Sequence, residues 1–343
     1  MAPSDTFRIN LVPSGHQFTS DQETPLLEAA LAAGLVLPYG CRNGACGSCR
    51  ARVVSGLVDH GAAAETALTL ADRAAGMTLP CCARALSDLT LECREVRGIN
   101  DIQVKTLPCR VQQIERTATD VIVLTLKLPV NERLQFLPGQ YIEFLLKDGK
   151  ARAFSIANAP EDDGCIELHI RRVADGAFTS HVFEHMQARD ILRLRGPLGT
   201  FFLREEPAKP VIFVAGGTGF APIKAIIEHA IRNGLSRPMT LYWGARTRGG
   251  LYRHELPARW ATEHPSFRYV PVLSMATAED AWPGRSGLVH RAVLEDHPDL
   301  SAVQVYACGA PAMIEAARRD FLAAGLPETE FFADAFTFAS ATG

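Results

Sequence analysis

The N-terminal third of the chain contains the loop Cys41-Arg-Asn-Gly-Ala-Cys46-Gly-Ser-Cys49, whose three cysteines follow the spacing C-x4-C-x2-C. A further cysteine, Cys81, lies 32 positions after Cys49. The first residues show no basic stretch followed by an apolar run, so we expect no export signal. Because the cytosol keeps thiols reduced, clustered cysteines in such a chain favour a metal or redox role over disulfides.

The cysteine spacing indicates a plant-type [2Fe–2S] cluster, in which four thiolates hold two irons. Gly40, Gly44 and Gly47 lack side chains, so the backbone N–H groups of the loop can turn toward the sulfurs. A zinc site is the alternative, but zinc sites usually repeat C-x2-C pairs around one ion, and the chain has one such pair. The fourth ligand is either Cys81 or Cys82, and the spacing leaves that choice open.

Composition and charge exclude several classes of function. The chain has 343 residues, a net charge of −3 and a pI near 6.4, so it lacks the basic excess that binds nucleic acid or anionic lipid. No segment approaches the ~20 consecutive apolar residues that cross a bilayer. We therefore expect a cytoplasmic protein that binds no nucleic acid and no membrane, and whose partners are proteins and small molecules.

The order of strand and helix patterns predicts three domains. Residues 5–95 combine short strands, one helix and the cysteine loop, which is typical of a small α+β domain. Residues 96–105 have mixed charge and no apolar period, which predicts a linker. Short strands broken by turns favour an antiparallel barrel over residues 106–207. Strands that alternate with helices favour a parallel sheet covered by helices over residues 208–343.

Three glycine-containing turns predict phosphate sites. Gly216-Gly217-Thr218-Gly219 follows an apolar strand and opens a helix, so its backbone can approach a phosphate closely. It lacks the G-x-G-x-x-G spacing, and a standard dinucleotide fingerprint is not predicted. Cys308-Gly309 ends another strand, at the carboxyl edge where open α/β sheets bind ligands. In the barrel, Gly176-Ala-Phe-Thr179 precedes a helix, and its N–H groups and the Thr179 hydroxyl are expected to receive a pyrophosphate.

The barrel domain also contains Arg152-Ala-Phe-Ser155, which resembles the R-x-[YF]-S flavin motif of the ferredoxin-NADP reductase family. The resemblance implies that Arg152 pairs with phosphate, that Phe154 packs on the isoalloxazine and that Ser155 hydrogen-bonds near the flavin N5. We therefore expect substitution of Ser155 to slow hydride transfer more than it weakens FAD binding.

The same resemblance implies roles for residues in the other two domains. It places the Cys308-Gly309 pair beside the nicotinamide C4 and Phe336 over the flavin. Of the two candidate cluster ligands, it selects Cys81. The implied fold is a β-grasp ferredoxin domain, a flavin-binding antiparallel β-barrel and a parallel-sheet α/β domain that binds the nicotinamide nucleotide.

The order of the three domains is similar to that of reductases that pass electrons from NAD(P)H to oxygenases and to deoxysugar dehydrases. The segments that carry this likeness are Tyr39–Cys49, Cys81-Cys82, Asp101–Lys105, Phe154–Pro160, Val289–Asp296 and Val305–Gly309. The likeness implies an enzyme that uses NADH or NADPH, FAD and a [2Fe–2S] cluster to reduce a protein acceptor. The acceptor it favours is a dehydrase of a CDP-linked 4-keto-6-deoxyhexose.

Three alternative functions are open at this point. The same domain order serves reductase components of aromatic-ring and other oxygenases. A passive ferredoxin-like carrier would not oxidise NAD(P)H. A reductase of free flavins or ferric chelates would need no ferredoxin domain.

The choice between NADH and NADPH is also open. Gly244-Ala-Arg-Thr-Arg-Gly-Gly250 contains no acidic residue to hold a ribose 2′-hydroxyl and has two arginines that suit a 2′-phosphate, whereas the resemblance favours NADH. His169, His181 and His185 are scattered, and we predict no catalytic role for them.

Overall fold

The structure is a computed structural model that describes residues 6–96, 102–162, 164–206, 208–234 and 236–337. The chain divides into two compact units, Met1–Gln103 and Val104–Gly343. Of the predicted linker 96–105, residues 97–101 lie outside the described residues, as does Pro207 at the predicted boundary between the second and third domains. No helix of the described segments is both long and apolar enough to span a membrane.

The first unit is built from seven strands and two helices. They are β1 (Phe7–Val12), β2 (Gln17–Ser20), α1 (Leu26–Ala32), β3 (Ala51–Ser55), β4 (Val58–Asp59), α2 (Leu70–Ala74), β5 (Met77–Thr78), β6 (Arg84–Ala85) and β7 (Leu89–Glu92). Five of the strands form a mixed sheet in the order β2-β1-β7-β3-β5, in which β1 and β7 are parallel. Ile9 and Leu11 alternate with polar residues along β1 and are fully buried, as are Leu26 and Ala30 of α1. This mixed sheet with its helix confirms the predicted β-grasp domain.

The second unit begins with six antiparallel strands and one helix. They are β8 (Lys105–Ala118), β9 (Val121–Lys127), β10 (Tyr141–Leu145), β11 (Ala151–Ser155), β12 (Cys165–Arg171), α3 (Ala177–Glu184) and β13 (Ile191–Leu198). The sheet order is β11-β10-β13-β8-β9-β12, and an antiparallel bridge between Ile156 and Leu168 joins its two edges. The bridge closes the sheet, which confirms the predicted barrel. Helix α3 begins at Ala177, directly after its N-cap Gly176, so Thr179 lies in the first turn of the helix rather than before it, which is where the sequence had predicted it.

The remainder of the second unit alternates strands and helices. They are β14 (Val211–Gly216), α4 (Phe220–Arg232), β15 (Met239–Ala245), α5 (Glu255–Glu263), β16 (Phe267–Leu273), β17 (Arg285–Ser286), α6 (Val289–Asp296), β18 (Gln304–Gly309), α7 (Pro311–Ala323) and β19 (Phe331–Ala335). All six strands are parallel, in the order β17-β16-β15-β14-β18-β19. Of these elements, β17, β19, α5 and α6 were not predicted from the sequence.

The strand order of the parallel sheet places its ligand crevice. Successive strands are added on one side of β14 up to β17, and the chain then returns to add β18 on the other side. Ligands bind open sheets of this kind at such a switch point, beyond the carboxyl ends of the strands. The crevice therefore lies where β14 ends at Gly216 and β18 ends at Gly309.

Candidate cofactor sites

The four predicted cluster ligands form two pairs of thiols. The Cys41 N–H donates to the Cys46 sulfur at 3.4 Å, and a hydrogen bond from the Cys46 thiol lowers the pKa of Cys41 to about 7. Cys81 hydrogen-bonds to Cys49, and that bond raises the pKa of the Cys81 thiol to about 12. Among the described residues, no three His, Cys, Asp or Glu side chains converge on one metal position. Two separate thiol pairs suit a cluster of two irons, each held by two thiolates, better than one tetrahedral zinc ion.

The cysteine loop packs against both candidates for the fourth ligand. The sulfurs of Cys81 and Cys82 lie 3.6 Å apart, and both residues are buried. Gly44, at φ +77°, donates its backbone N–H to Cys81, and a Cβ at Gly44 would stand 2.5 Å from the Cys82 sulfur. Only glycine fits at position 44, which explains why the loop between Cys41 and Cys46 contains a glycine. Cys81, unlike Cys82, also contacts Cys49 and so completes the second thiol pair.

Strand β11 presents the residues of the predicted flavin motif. The half-buried Phe154 ring packs against Phe144 and Phe178, with ring centroids 5.8 and 5.5 Å away. The Arg152 guanidinium donates to the Ala151 carbonyl at 2.9 Å and forms no ion pair with the acidic residues that the structure describes. Ser155, the last residue of the strand, is 8% exposed. The strand thus offers an unpaired cation, an aromatic surface and a buried hydroxyl, which are the features of the predicted flavin motif.

The Ser155 hydroxyl donates a hydrogen bond to Asp334, a residue that the sequence analysis missed. Asp334 lies on β19 beside Cys308 of β18, and burial raises the pKa of its carboxyl to about 6. Phe336, which the sequence also predicted for this site, donates its backbone N–H to the Gly309 carbonyl at 2.8 Å. The structure therefore brings Ser155, Cys308, Gly309 and Phe336 to one place, with Asp334 between them. The only sequence signal for Asp334 was an acidic residue inside the aromatic run that ends at Phe336.

At the crevice, the backbone around Gly216–Gly219 and the end of β18 approach each other so closely that a side chain would not fit between them. A Cβ at Gly219 would lie 2.0 Å from the Cys308 carbonyl oxygen, and one at Gly309 would lie 3.1 Å from the Gly216 Cα. The residues Gly217–Gly219 form one turn of 3-10 helix before α4, and Thr218 within it is buried. The four predicted turn residues and Cys308-Gly309 thus enclose one cradle, whose shape depends on missing side chains.

Arg171 of β12 covers this cradle and was also missed by the sequence analysis. Its guanidinium carbon and both terminal nitrogens lie 3.3 Å from the position that a Gly217 Cβ would take. The Nη2 atom is buried without a hydrogen-bond partner among the described residues. The side chain as a whole is 36% exposed and its Nε lies 3.5 Å from an Asp120 carboxylate oxygen, so it is the free Nη2 donor above the glycine turn that fits a site for the pyrophosphate of a dinucleotide.

In the turn of the barrel that was predicted to bind a pyrophosphate, the Thr179 hydroxyl has a different role from the one expected. The Thr179 hydroxyl accepts the Val173 N–H and donates to the Gly176 carbonyl, each at 3.1 Å, so its bonds are local and shape the turn. The first-turn N–H groups of α3, which have no acceptors within the helix, are thus the donors that this turn offers.

An acidic residue from a later part of the chain contacts the segment that follows β15. Asp280, which follows β16, accepts the Arg248 N–H at 3.0 Å. A carboxylate is thus present near the site where the ribose was expected, although the local sequence 244–250 contains none.

Three family models match successive parts of the chain. The 2Fe-2S iron-sulfur cluster binding domain matches residues 9–86, the oxidoreductase FAD-binding domain matches 108–203, and the oxidoreductase NAD-binding domain matches 213–319. These matches confirm the predicted [2Fe–2S] cluster, FAD and nicotinamide nucleotide as cofactors. They also favour the reductase over the zinc, passive-carrier and free-flavin alternatives.

Curated relatives and solved structures match over nearly the whole chain. The CDP-6-deoxy-L-threo-D-glycero-4-hexulose-3-dehydrase reductase of Yersinia pseudotuberculosis is 44% identical over 96% of this chain and 98% of that protein. The reductase component DmpP of phenol 2-monooxygenase from a Pseudomonas species is 34% identical over 96% of this chain and 94% of that protein. The crystal structure of the Amycolatopsis cytochrome P450 reductase GcoB has a TM-score of 0.75 and 34% identity, with 97% of this chain and 100% of that chain covered. The chain therefore belongs to the ferredoxin-NADP reductase-like family, as an NAD(P)H-dependent electron-transfer reductase that unites a [2Fe–2S], an FAD-binding and an NAD-binding domain and serves a protein electron acceptor.

Proposed function

We propose that the electron acceptor of this reductase is a dehydrase that acts on a CDP-linked 4-keto-6-deoxyhexose. The observation that carries this proposal is the 44% identity, over 96% of the chain, to a reductase named for such a dehydrase. The phenol monooxygenase component is 34% identical over a similar length. We also propose a cytoplasmic location, because the free cluster thiols suit a reducing compartment.

We propose that Cys41, Cys46, Cys49 and Cys81 hold the cluster. A cluster held by these cysteines would supply one-electron transfer to the acceptor, and FAD held by the barrel would supply two-electron hydride acceptance from NAD(P)H. The cysteine loop supplies the backbone donor at Gly44 that stabilises the negative charge on the sulfurs. Cys82 stands beside the ligands as a buried thiol.

We propose that Ser155 orients the flavin through its hydroxyl and that Phe154 packs on the isoalloxazine, while Arg152 pairs with a flavin phosphate. Asp334 accepts the Ser155 hydrogen bond and so fixes the direction of that hydroxyl. Because this contact is buried, the orientation does not depend on solvent.

A separate set of residues is proposed to bind the nicotinamide nucleotide. The turn from Gly216 to Gly219, with Arg171 above it, is proposed to bind the pyrophosphate, and Cys308-Gly309 to lie beside the nicotinamide ring. Phe336 is proposed to cover the flavin until the nicotinamide replaces it. Its backbone bond to Gly309 ties it to the nicotinamide side of the crevice.

A second candidate acceptor is the terminal component of an oxygenase. The likeness to the cytochrome P450 reductase, with a TM-score of 0.75 over 97% of the chain, favours it. The two candidates share every step within the reductase and differ in the protein that removes electrons from the cluster.

The two acceptors are separated by coupled turnover. The purified reductase is mixed anaerobically with NADH and a CDP-6-deoxy-4-hexulose 3-dehydrase with its sugar nucleotide, and in a parallel aerobic assay with a phenol monooxygenase oxygenase component and phenol. We expect sugar-dependent NADH oxidation with the dehydrase and a phenol-independent background with the oxygenase. Phenol-dependent turnover together with no response to the sugar nucleotide would assign the oxygenase instead.

A further inference from the structure

Lys224 is a buried cation in helix α4, just after the glycine turn. It is 5% exposed, and its ammonium group donates to the Ala157 carbonyl at 3.0 Å. The same group lies 3.2 Å from a Glu167 carboxylate oxygen and 2.9 Å from one of Glu228. Lysine is almost never buried without such partners, since the removal of a charge from water is costly. These contacts join the helix of the parallel sheet to the barrel.

A continuous row of contacts leads from Lys224 back to the glycine turn. The Glu167 oxygen that contacts Lys224 also accepts a 2.9 Å hydrogen bond from His169 Nε2, and His169 Nδ1 lies 2.8 Å from the Tyr252 hydroxyl. The Tyr252 ring packs edge-on against Trp243, with centroids 5.3 Å apart. The Trp243 indole then donates to the Gly217 carbonyl at 2.9 Å. His169 thus has a place in this row, although its sequence position predicted none.

The two ends of this row are the two proposed cofactor positions. Ala157 lies two residues after Ser155, and its N–H donates to the Glu167 carbonyl at 2.8 Å. Gly217 is the first residue of the 3-10 turn in the segment proposed to bind the nicotinamide nucleotide. The row therefore joins the end of the flavin strand to the nucleotide turn.

The charge states of the acidic residues around Lys224 are set by burial and by contacts within the row. Burial disfavours the charged form of Glu167, but the His169 hydrogen bond and the Lys224 charge hold its pKa at about 2. Burial raises the pKa of Glu228, against the attraction of Lys224. Buried ion pairs of this kind contribute little net stability compared with apolar residues, and their best-attested role is to fix one geometry.

We propose that Lys224 is a positioning residue for hydride transfer, which fixes the flavin strand relative to the nucleotide turn through Ala157, Glu167 and the row that ends at Gly217. Hydride transfer requires the donor and acceptor atoms to be within about 3–3.5 Å, and a misplacement of about 1 Å costs roughly 100-fold in rate. The inference concerns the reductive step alone and does not rest on the identity of the electron acceptor.

The test compares Lys224→Met with the wild-type holoenzyme by anaerobic rapid mixing with NADH. Methionine replaces the aliphatic part of the side chain with one of similar length and removes the ammonium group. We expect flavin bleaching to slow by about 10- to 100-fold, with the FAD content and the NAD⁺ dissociation constant retained. Lys224→Arg should recover part of the rate, because it restores the charge opposite Glu167.

Arg232→Ala is the matched control on the same helix. Arg232 pairs with Asp162 at 2.8 Å, but both side chains are about two-fifths exposed, at 40% and 44%, and exposed pairs contribute little. This variant should reduce flavin at the wild-type rate. Hydrogen exchange gives a readout apart from activity: in Lys224→Met, protection should fall together at 155–158 and 217–220, and in Arg232→Ala at neither.

Three results would overturn the proposal. They are a wild-type bleaching rate in Lys224→Met, a slow rate fully accounted for by lost FAD or weakened NAD⁺ binding, and an equal effect in Arg232→Ala. If Lys224→Met does not fold, Glu167→Gln serves the same test, because it removes the opposite charge and keeps the hydrogen-bonding shape. The double variant should be no slower than the slower single variant, since both act through one network.

Discussion

The hydroxyl of Ser155, at the end of strand β11, donates a hydrogen bond to the carboxylate of Asp334 on β19. The two residues are 179 positions apart in the sequence, and both are buried. Cys308 lies beside Asp334 in the sheet, so the contact marks the point where the flavin strand meets the nicotinamide crevice. A hydroxyl fixed in this way is oriented before the flavin arrives.

Replacement of Ser155 by alanine should affect the chemical step more than FAD binding. Removal of one oriented donor next to a reacting atom typically costs about 100-fold or more in rate, whereas FAD is also held by the rest of the barrel. The measurement is the rate of flavin bleaching by NADH alongside the FAD content of the purified protein. Ser301→Ala, at an exposed position, is the control. Equal reduction rates in Ser155→Ala and the wild type would remove this residue from the proposed site.

Asp334→Asn should stabilise the protein at neutral pH while it impairs the reductase. Burial raises the pKa of Asp334 from 3.8 to about 6, so the folded state binds its proton more tightly than the unfolded state. The carboxyl therefore lowers stability progressively as pH rises from about 4 to about 6, and fully above that range, by up to about 3 kcal/mol. Thermal unfolding of Asp334→Asn and the wild type should differ at pH 7 and converge near pH 4. A difference that does not change with pH would contradict the shifted ionisation.

The fourth cluster ligand is tested by two single substitutions of adjacent cysteines. Cys81 contacts Cys49, whereas Cys82 contacts Cys81 and packs on Gly44. We expect Cys81→Ser to lose most of its iron and acid-labile sulfide and the visible absorbance of the cluster. Cys82→Ser should keep them, and thus serves as the matched control. The reverse result would make Cys82 the ligand.

The central strand of the parallel sheet and the cysteine loop were predictable because their signals are local. Val211–Ala215 is a short apolar run between breakers, and a strand covered on both faces has that composition. The glycines of the turn at 216–219 follow directly from it. The spacing of Cys41, Cys46 and Cys49 is likewise contained within nine residues.

The residues that the sequence did not reveal depend on distant partners. Asp334 is an ordinary acidic residue until β19 places it against Ser155, and β19 has no alternation that predicts a strand. His169 was read as a scattered histidine because its partner Tyr252 lies 83 positions away, although Glu167 two residues earlier shares its face of the strand. Arg171 and Arg172 are indistinguishable in sequence, and only the structure shows which of them covers Gly217.

Gly219→Ala should push the 3-10 turn before α4 away from the end of β18. The added Cβ would stand 2.0 Å from the Cys308 carbonyl oxygen, and Cys308 is held within the parallel sheet between β14 and β19. We expect a loss of about 1–3 kcal/mol of stability and a marked loss of NAD⁺ binding, measured by chemical unfolding and by calorimetry. Gly249→Ala is the control, because an added Cβ there meets nothing within 4 Å. An unchanged NAD⁺ affinity in Gly219→Ala would show that the cradle does not depend on this close approach.

Arg171→Gln should weaken nucleotide binding and leave the flavin in place. The Arg171 Nε pairs with Asp120 at 3.5 Å, but its Nη2 lies over Gly217, buried and without a hydrogen-bond partner among the described residues, so a pyrophosphate would supply the missing acceptor. A hydrogen bond between charged groups contributes about 1.5–3 kcal/mol, which corresponds to a rise of roughly 10- to 100-fold in the NAD⁺ dissociation constant. Calorimetric titration of the holoenzyme with NAD⁺ measures it.

Arg172→Gln is the matched control for that substitution. Arg172 is the next residue, carries the same charge, and pairs with Glu184 as Arg171 pairs with Asp120, with the side chains of Arg172 and Glu184 both 44% exposed. Net charge changes equally in the two variants, so any difference between them reports the location of the guanidinium rather than the charge of the protein. We expect the Arg172→Gln protein to bind NAD⁺ as the wild type does. Equal weakening in both variants would indicate a general electrostatic effect, and loss of FAD from Arg171→Gln would place this arginine at the flavin instead.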